Sequence, residues 1–494
     1  MAAGFFAVVL VVPFWPTFVS PNEWPRIYQA LALVHRGSLS INEEVARWGS
    51  CEDLSGASGK LYPNKAPGLL PFLLPGALVA HSLGCSQQEL KLAYFWGRFL
   101  AVTLPWLWVS WWVARYLTRR WGAPGSLLAT VLVAASPWLV AGTVVFAHAL
   151  AGACLLGGLV ASRGQSSWSL GLAGCLWGWA AVSEYPTLLL GAAWMLWLTW
   201  DRRWKVWPAY LGMALPLLLL AEYNWSCFGS PLVLSSAREL FPQFSTLSQE
   251  GLYGISWPKA QNLALFLFSR ERGLIFWAPL LLLGFWWPQG EALAQRAWLG
   301  TILLLVFLSG YGGAHGGWFP GPRYLLAAFP LLAISGAHLL ARAWPHRGVR
   351  LAAFALAFWS IPAAFLPLFT FPLSPQDFPI APLSFHWVLL AAGVFSPGLL
   401  PTLGPLVFLM SLVLAWLLFG LGDRIGLPGL VLAIALWLVT AATAPPLGFR
   451  QRLELAVIHD LYTTTKPSWL AVLEAEVDEG QRRLLWRWLR QRPQ

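Results

Sequence analysis

The chain begins with an apolar run, MAAGFFAVVLVVPFWPTFVS (residues 1–20), which leads directly into PNEWPRIYQALALVHRGSLSIN (residues 21–42). In the second stretch, apolar side chains recur at helical spacing, at Trp24, Ile27, Leu31 and Val34. This pattern predicts an amphipathic helix that lies on the outer surface of a membrane. Residues 4–20 lack the basic segment and the cleavage site of a signal peptide, and we therefore expect them to form a first, uncleaved span.

The composition predicts the same class of protein. Of the 494 residues, 57% are hydrophobic and only 11% are charged, whereas a soluble domain has about 25% charged residues. The 33 Trp and 37 Pro residues suit a membrane protein, because Trp favours the lipid–water interface and membrane helices tolerate Pro. The net charge of +11 does not indicate nucleic acid, because Lys and Arg collect in short loops between apolar runs, as the positive-inside rule requires.

Apolar runs of membrane length predict an all-α polytopic protein with about 12–14 transmembrane helices within residues 1–445. These runs cover about 4–20, 92–114, 126–146, 147–162, 168–183, 186–200, 206–222, 273–288, 297–311, 324–341, 351–370, 386–399, 402–421 and 427–445. One further run, 66–84, is interrupted by Pro67, Pro71, Pro75 and Gly76. It predicts a kinked interfacial or re-entrant segment rather than a span.

The positions of the arginines predict a cytoplasmic N-terminus. The exported side then receives the long polar segments 21–91, with its interfacial helices, 223–272 and 312–323, where function is expected. Residues 446–494 form the charged tail, predicted to be an amphipathic helix on the inner face of the membrane, drawn to anionic membrane lipids. Cys51 and Cys85 share the first exported segment, and whether they form a disulfide is open.

The first exported segment holds four candidate site residues. Glu23 is either a carboxylate that favours a helix N-terminus or one held where a lipid-linked substrate presents its headgroup. The stretch CEDLSGASGKLYPNKAPGLLPFLLP (residues 51–75) adds Asp53, Tyr62 and Lys65. Lys65 lies at a predicted membrane edge, where it could bind a phosphate or serve as a snorkelling anchor.

Two further candidates lie near the outer ends of predicted spans. His148 is either a buried hydrogen-bonding residue or a ligand. Glu184 stands between two short apolar runs. An acid at membrane depth is a functional candidate, whereas an acid in an exposed turn is merely solvated.

The glycine-rich stretch GYGGAHGGWFPGPRYLLAAFP (residues 310–330) lies between two predicted spans. Glycine lets the backbone approach a ligand closely. Arg323 could bind a phosphate bidentately or anchor a flexible outer loop, and His315 lies in the same loop. Arg272 precedes another span on the predicted exported side, where arginine is unusual and needs a reason.

Together these motifs resemble the bacterial membrane glycosyltransferases of the GT-C superfold. The group that they resemble includes protein O-mannosyltransferases and the aminoarabinose transferases of lipid A. The matching stretches are PNEW with ALALVHRGSLSIN, GKLYPNKAPGLLPFLLP, YNWSCFGSPL with SRERGLIFWAPLLL, and GGWFPGPRYLLAAFPLL. They lie within residues 1–340, and the rest of the chain matches only in hydropathy.

The resemblance implies an enzyme of the bacterial inner membrane whose active site faces the periplasm. Its donor would be a polyprenyl-phosphate-linked sugar, hexosyl or pentosyl, and its acceptor a lipid, a glycan or a protein. By resemblance Glu23 is the catalytic base or a metal ligand. Asp53, from the stretch 51–75, is the second candidate catalytic carboxylate. Many relatives carry an Asp, or an acidic pair, near the point where this chain has Asn22 beside Glu23. Asn22 therefore argues against a metal site that needs two adjacent carboxylates. A divalent metal is possible, but none is predicted as a certain cofactor.

The same resemblance makes Lys65 and Arg323 the phosphate binders, and Arg272 is a weaker candidate for that role. The remaining substrate-binding candidates are Tyr62, His148, Glu184 and His315. Inverting sugar transfer passes through an oxocarbenium-like state. It needs a base near the attacking hydroxyl and cations on the leaving phosphate.

Two other functions are compatible with the sequence. A lipid-linked glycan flippase or transporter would need a polar path through the bilayer, and the predicted spans contain few charges. An O-antigen ligase or polymerase would predict arginine-dominated chemistry without a role for Glu23.

Overall fold

The computed structural model of the protein describes residues 20–84, 89–376, 378–394 and 426–443, together with 446–448, 451–452, 454–455 and 458. The α-helices of these residues are α1 Trp24–Arg36, α2 Asn42–Trp48, α3 Leu70–Ser82, α4 Glu89–Arg98, α5 Leu104–Ala134, α6 Pro137–Ala141, α7 His148–Ala161, α8 Ser167–Ser183, α9 Leu188–Arg202, α10 Trp207–Phe228, α11 Pro242–Gln249, α12 Ala260–Phe268, α13 Leu274–Trp277, α14 Ala292–Ser309, α15 Phe329–Ala343, α16 Arg347–Phe369, α17 Val388–Ala391 and α18 Gly426–Ala442. Strands β1 (Leu54–Ala57) and β2 (Lys60–Pro63) form an antiparallel hairpin between α2 and α3.

The fold is all-α, as the sequence predicts. Within the described residues five helical stretches are long and apolar enough to cross a membrane, judged by length and composition. They are Glu89–Ala134, Tyr185–Phe228, Ala292–Ser309, Arg323–Ala343 and Arg347–Phe369. Four shorter apolar helical stretches accompany them, at Pro67–Ser82, His148–Ala161, Pro382–Ala391 and Gly426–Ala442. This pattern is that of a multi-pass membrane protein.

Two of the predicted spans are wrong in their helical extent, and a proline explains each. In the run 126–146 the helix ends at Ala134, and the short α6 begins at Pro137, capped by the hydroxyl of Ser136. In the run 273–288 Pro279 holds Ala278 at φ −159°, so that α13 ends and a 3₁₀ segment follows. A proline lacks the backbone donor of a helix and disfavours helical geometry in the residue before it.

The helix predicted after the first apolar run is present as α1, but its surroundings differ from the prediction. Gly37 ends it in the left-handed conformation, at φ +62°. Arg26 and Gln29, which lie off the apolar stripe of Trp24, Ile27, Leu31 and Val34, are both buried. Helix α1 is therefore surrounded by protein along its first two turns and does not lie flat on a membrane surface there.

The segment 66–84 forms a 3₁₀ turn, Pro67–Leu69, followed by α3, which contains Pro75. Helix α3 packs against α4 and α1, and its other face exposes apolar side chains such as Leu78 and Val79. Its interfacial or re-entrant position stays a prediction. The predicted spans at 4–20 and 402–421, most of the tail 446–494, and Cys85 with its possible disulfide lie outside the described residues.

Candidate functional site

Several segments that are distant in sequence converge at the N-terminal end of α1. They are the hairpin β1–β2 with the turn after it, the link 142–147, the start of α7, the residues after α8, and the glycine-rich loop before Arg323. They bring together the side chains of Arg26, Asp53, Lys65, Glu184 and Arg323, which we call the charge cluster. Each of the five acts electrostatically on at least one other member.

Arg323 is held in place by its own loop and by α7. Its Nη1 donates to the carbonyl of Gly316 at 3.1 Å, and its Nε donates to Nε2 of His148 at 3.4 Å. Its guanidinium also stacks 4.2 Å above the ring of Phe146, a favourable cation–π geometry. Gly316 and Gly317 have φ of +74° and +66°, which glycine adopts without strain. The glycines of this loop therefore shape a backbone cradle for the arginine.

Glu184 follows the last residue of α8 and faces His148. Its Oε1 lies 3.2 Å from Nδ1 of His148. Burial raises the pKa of Glu184 above its ordinary value, although the nearby charges of Arg26, Arg323 and Lys65 act in the opposite direction. Glu184 is therefore a carboxylate of enhanced basicity, as general-base catalysis requires. Glu184, His148 and Arg323 form one continuous chain of contacts.

Lys65 and Asp53 form an ion pair at the end of the hairpin. The Lys65 Nζ lies 3.0 Å from Oδ1 of Asp53, which also accepts from Nδ2 of Asn64 at 3.1 Å. Burial alone would raise the pKa of Asp53. The ammonium of Lys65, the hydrogen bonds from Lys65 and Asn64, and the charge of Arg323 together hold that pKa below its ordinary value. Asp53 is therefore a poor proton acceptor and a good anchor for Lys65.

A further carboxylate, Glu239, reaches the hairpin from the loop after α10. It accepts a short hydrogen bond from Nδ2 of Asn64. Burial raises its pKa to about 7, with Asp53 adding to the shift and the Asn64 hydrogen bond and Lys65 opposing it. Nothing in the sequence around Glu239 singles it out, because its partner Asn64 lies 175 positions away in the chain.

Gly68 explains how Lys65 comes close to Glu184. A Cβ atom at Gly68 would lie 2.3 Å from the hydroxyl of Ser183 and 2.6 Å from its backbone, so only glycine permits this approach. The carbonyl of Gly68 also accepts from Nε1 of Trp179 at 3.1 Å. The turn after Lys65 therefore packs closely against the end of α8, next to Glu184.

Arg26 is the site residue that sequence reasoning missed. Its side chain is 7% exposed, and its Nε and Nη1 have no hydrogen-bond partner among the described residues. Desolvation lowers its pKa to about 10; Arg323 adds to this shift, while Glu184 and Asp53 oppose it. A buried guanidinium with unused donors, close to the charge of Arg323, is a group whose hydrogen bonds an incoming anion would complete.

Glu23 is more completely buried in the protein than the residues of the charge cluster. It is 0% exposed. Its Oε1 accepts from the hydroxyl of Tyr94 at 2.9 Å and from the backbone N–H of Val145 at 2.8 Å, and its Oε2 accepts from the N–H of Ser20 at 3.2 Å. Glu23 therefore fastens the start of α1 to the link 142–147, which leads to Phe146 and His148.

Replacing Glu23 with Gln is expected to destabilise the protein by about 1–3 kcal/mol, because the new amide would direct a donor at Tyr94 or Val145. Unfolding of the purified protein in detergent, followed by Trp fluorescence, measures the effect. Glu43→Gln, in an exposed position on α2, is the matched control and should leave the unfolding temperature unchanged. A Glu23→Gln protein of normal stability that has lost activity would instead identify Glu23 as the catalytic base.

The other predicted residues lie around this site rather than in it. Arg272 is 1% exposed and donates to the carbonyls of Phe319, Gly317 and Ser374, so its guanidinium shapes the glycine-rich loop. Tyr62 packs edge-on against Phe228 in an apolar cluster. His315 is exposed in the glycine-rich loop.

In the described part of the chain, the charge cluster contains no group of three side chains with metal-ligand spacing. Three positive side chains face two carboxylates within the charge cluster, and this balance favours an anion.

No protein-family model matches the sequence, and no curated protein matches it. In structure, the chain is similar to ArnT from Cupriavidus metallidurans. The apo form of ArnT shares 18% identity at a TM-score of 0.45, covering 87% of this chain and 77% of that chain. The form bound to undecaprenyl phosphate shares 16% identity at a TM-score of 0.46, covering 94% and 80%. At such low similarity, function has to be inferred from the residues of this chain.

Proposed function

We propose that the protein is a membrane glycosyltransferase that moves a hexosyl or pentosyl group from a polyprenyl-phosphate donor to an acceptor hydroxyl. The acceptor would be a lipid, a glycan or a protein at the exported face of a bacterial inner membrane. The charge cluster is the observation that supports this proposal. The charge cluster places three cations beside Glu184, a carboxylate whose pKa is raised by burial. Apolar helices lie next to the charge cluster, and a phosphate on a lipid chain would reach it there.

The cations have the chemistry of a phosphate site. Arg26 offers unused guanidinium donors, Arg323 offers a second guanidinium supported by Phe146, and Lys65 offers an ammonium held by Asp53. Charge-assisted hydrogen bonds from such groups bind phosphate oxygens strongly. In the transfer reaction they would stabilise the negative charge that collects on the leaving phosphate.

The three carboxylates Glu184, Asp53 and Glu23 would have different roles in the transfer reaction. Glu184 would take the proton of the acceptor hydroxyl as that oxygen bonds to C1 of the sugar, while the bond from C1 to the phosphate oxygen breaks. The polyprenyl phosphate leaves as an anion, and no general acid is needed. Attack from the face opposite the phosphate inverts the anomeric centre. Asp53 would position Lys65, and Glu23 would position the link that carries Phe146 and His148.

The decisive experiment measures whether the purified protein forms polyprenyl phosphate from polyprenyl-phosphate sugars. A panel of such donors is incubated with the protein and with membrane extract as the source of acceptor, and the products are identified by mass spectrometry. We expect at least one donor to be consumed, and we expect the Lys65→Met and Arg323→Met variants to be at least about 100-fold slower. Consumption of no donor in the panel would contradict the proposal.

A binding measurement tests the phosphate site separately. Polyprenyl phosphate should bind the protein in detergent, and the uncharged polyprenol of equal length should bind much more weakly. Equal binding of the two lipids would show that the cations of the charge cluster do not contact a phosphate.

A second candidate is ligase-like transfer that depends on arginine without a carboxylate base. Two arginines occupy the charge cluster, while the oxygens of Glu23 are used by internal hydrogen bonds, and this arrangement favours that alternative over a flippase. It predicts that carboxylate variants at Glu184 and Asp53 keep most of their activity, while Arg26 and Arg323 variants lose it.

A further inference from the structure

Three potential metal ligands meet at the end of α1 that is remote from the charge cluster. His35 lies in the last turn of α1, His81 in the last turn of α3, and Glu89 in the first turn of α4. One ligand atom from each lies within 4.8 Å of the other two. The rise of a helix separates this group from Glu23 by about 18 Å along α1. The proposed transfer reaction makes no use of it.

The contacts within this group leave one carboxylate oxygen directed at both imidazoles. Oε1 of Glu89 lies 2.6 Å from Nε2 of His35 and 3.5 Å from Nδ1 of His81. Oε2 of Glu89 is 3.5 Å from Nη1 of Arg47. The arginine therefore neutralises and orients Glu89 on one side, as an outer-shell partner of a ligand does.

We propose that His35, His81 and Glu89 form a binding site for a divalent transition metal, with Zn²⁺ the best fit. Two imidazoles and one carboxylate are typical zinc ligands, with bonds of about 2.0–2.2 Å and a water in the fourth position. Imidazole nitrogen excludes Mg²⁺ and Ca²⁺ as preferred ions, since these favour oxygen ligands.

The access and the location of the group support this assignment. The side chain of His81 is 56% exposed, while that of Glu89 is 8% exposed. An ion from solvent could therefore reach a partly buried carboxylate through the exposed imidazole. The three ligands come from three helices, so the bound ion would link α3 and α4 to the C-terminal end of α1. Bound zinc would therefore stabilise the folded protein at this junction.

The test measures zinc in the full-length protein, purified in detergent without a polyhistidine tag. Elemental analysis of the wild type after dialysis against Zn²⁺ should find about one ion more than in the variant His81→Ala. Competition with a chromophoric chelator should show that the affinity of His81→Ala for zinc is at least about 100-fold lower than that of the wild type. His346→Ala, which removes an exposed histidine outside the group, is the control and should bind zinc as the wild type does.

Stability provides a second readout, independent of activity. Zinc should raise the unfolding temperature of the wild type and of His346→Ala, and a chelator should reverse this effect. Zinc should not raise the unfolding temperature of His81→Ala or of the size-conserving variant His35→Gln. If the wild type and His81→Ala hold the same amount of zinc, or if zinc leaves the wild-type unfolding temperature unchanged, His35, His81 and Glu89 are only a hydrogen-bonded junction of helix ends.

Discussion

Replacing Arg26 with Met is expected to reduce the rate of sugar transfer by about 10²–10³-fold, the loss that follows removal of one preorganised donor from an anionic transition state. The variant should also bind polyprenyl phosphate more weakly. The reason is that Arg26 is the buried cation whose Nε and Nη1 have no hydrogen-bond partner in the described residues. A phosphate oxygen would supply that partner.

The same substitution should leave the unfolding temperature unchanged or raise it. A buried charge without adequate partners destabilises the folded protein, and desolvation lowers the pKa of Arg26 to about 10. Met is apolar, unbranched and a good helix former, so it fills the space without that cost. Loss of function together with retained or increased stability identifies a side chain kept for its ligand rather than for the fold.

Two measurements on one preparation test whether Arg26 serves phosphate binding or the stability of the fold. They are donor turnover, and unfolding followed by Trp fluorescence. Arg119→Met is the matched control, because Arg119 is an exposed arginine on α5, and both of its values should equal those of the wild type. An Arg26→Met protein that unfolds at a lower temperature but turns over donor normally would show that Arg26 only balances the charge of Glu184.

Replacing Glu184 with Gln is expected to lower the turnover number by about 10²–10⁴-fold, the usual contribution of a general base. Binding of polyprenyl phosphate should be unchanged or tighter, because the substitution removes a negative charge close to the phosphate site. The opposite signs of the two effects separate a catalytic carboxylate from one that only supports the cations.

The pH dependence of turnover by the wild type should reflect the ionisation of Glu184. A base acts only when it is ionised, and burial raises the pKa of Glu184 above the ordinary value for a glutamate. Turnover should therefore rise as the pH increases through this elevated pKa and fall below it. In Glu184→Gln the residual rate should lack that acidic limb.

Glu222→Gln is the control for Glu184, because Glu222 is exposed on α10. Its pH profile and turnover should match those of the wild type. A Glu184→Gln protein with normal turnover would remove Glu184 from the mechanism and favour the arginine-dependent alternative.

Hydropathy and local sequence were sufficient to predict the class of protein and several of its elements. A chain with this much apolar surface requires helices that satisfy their own backbone hydrogen bonds in the membrane. Helix α1 follows from its periodicity, and the loop around Gly316 and Gly317 follows from its glycines. Lys65, Glu184 and Arg323 could be selected because charges next to apolar runs are few and costly.

Only the tertiary structure decides what those charges contact. Arg26 lies off the apolar stripe of α1, where a helix at a membrane surface would expose it, yet the packing of the protein buries it. Glu23 stood out in the sequence, but Tyr94 and Val145, from distant segments, occupy its oxygens. The physical reason is that helical spacing fixes which side chains share a face, whereas contacts across 70 to 175 residues decide whether that face meets lipid, water or another charged group.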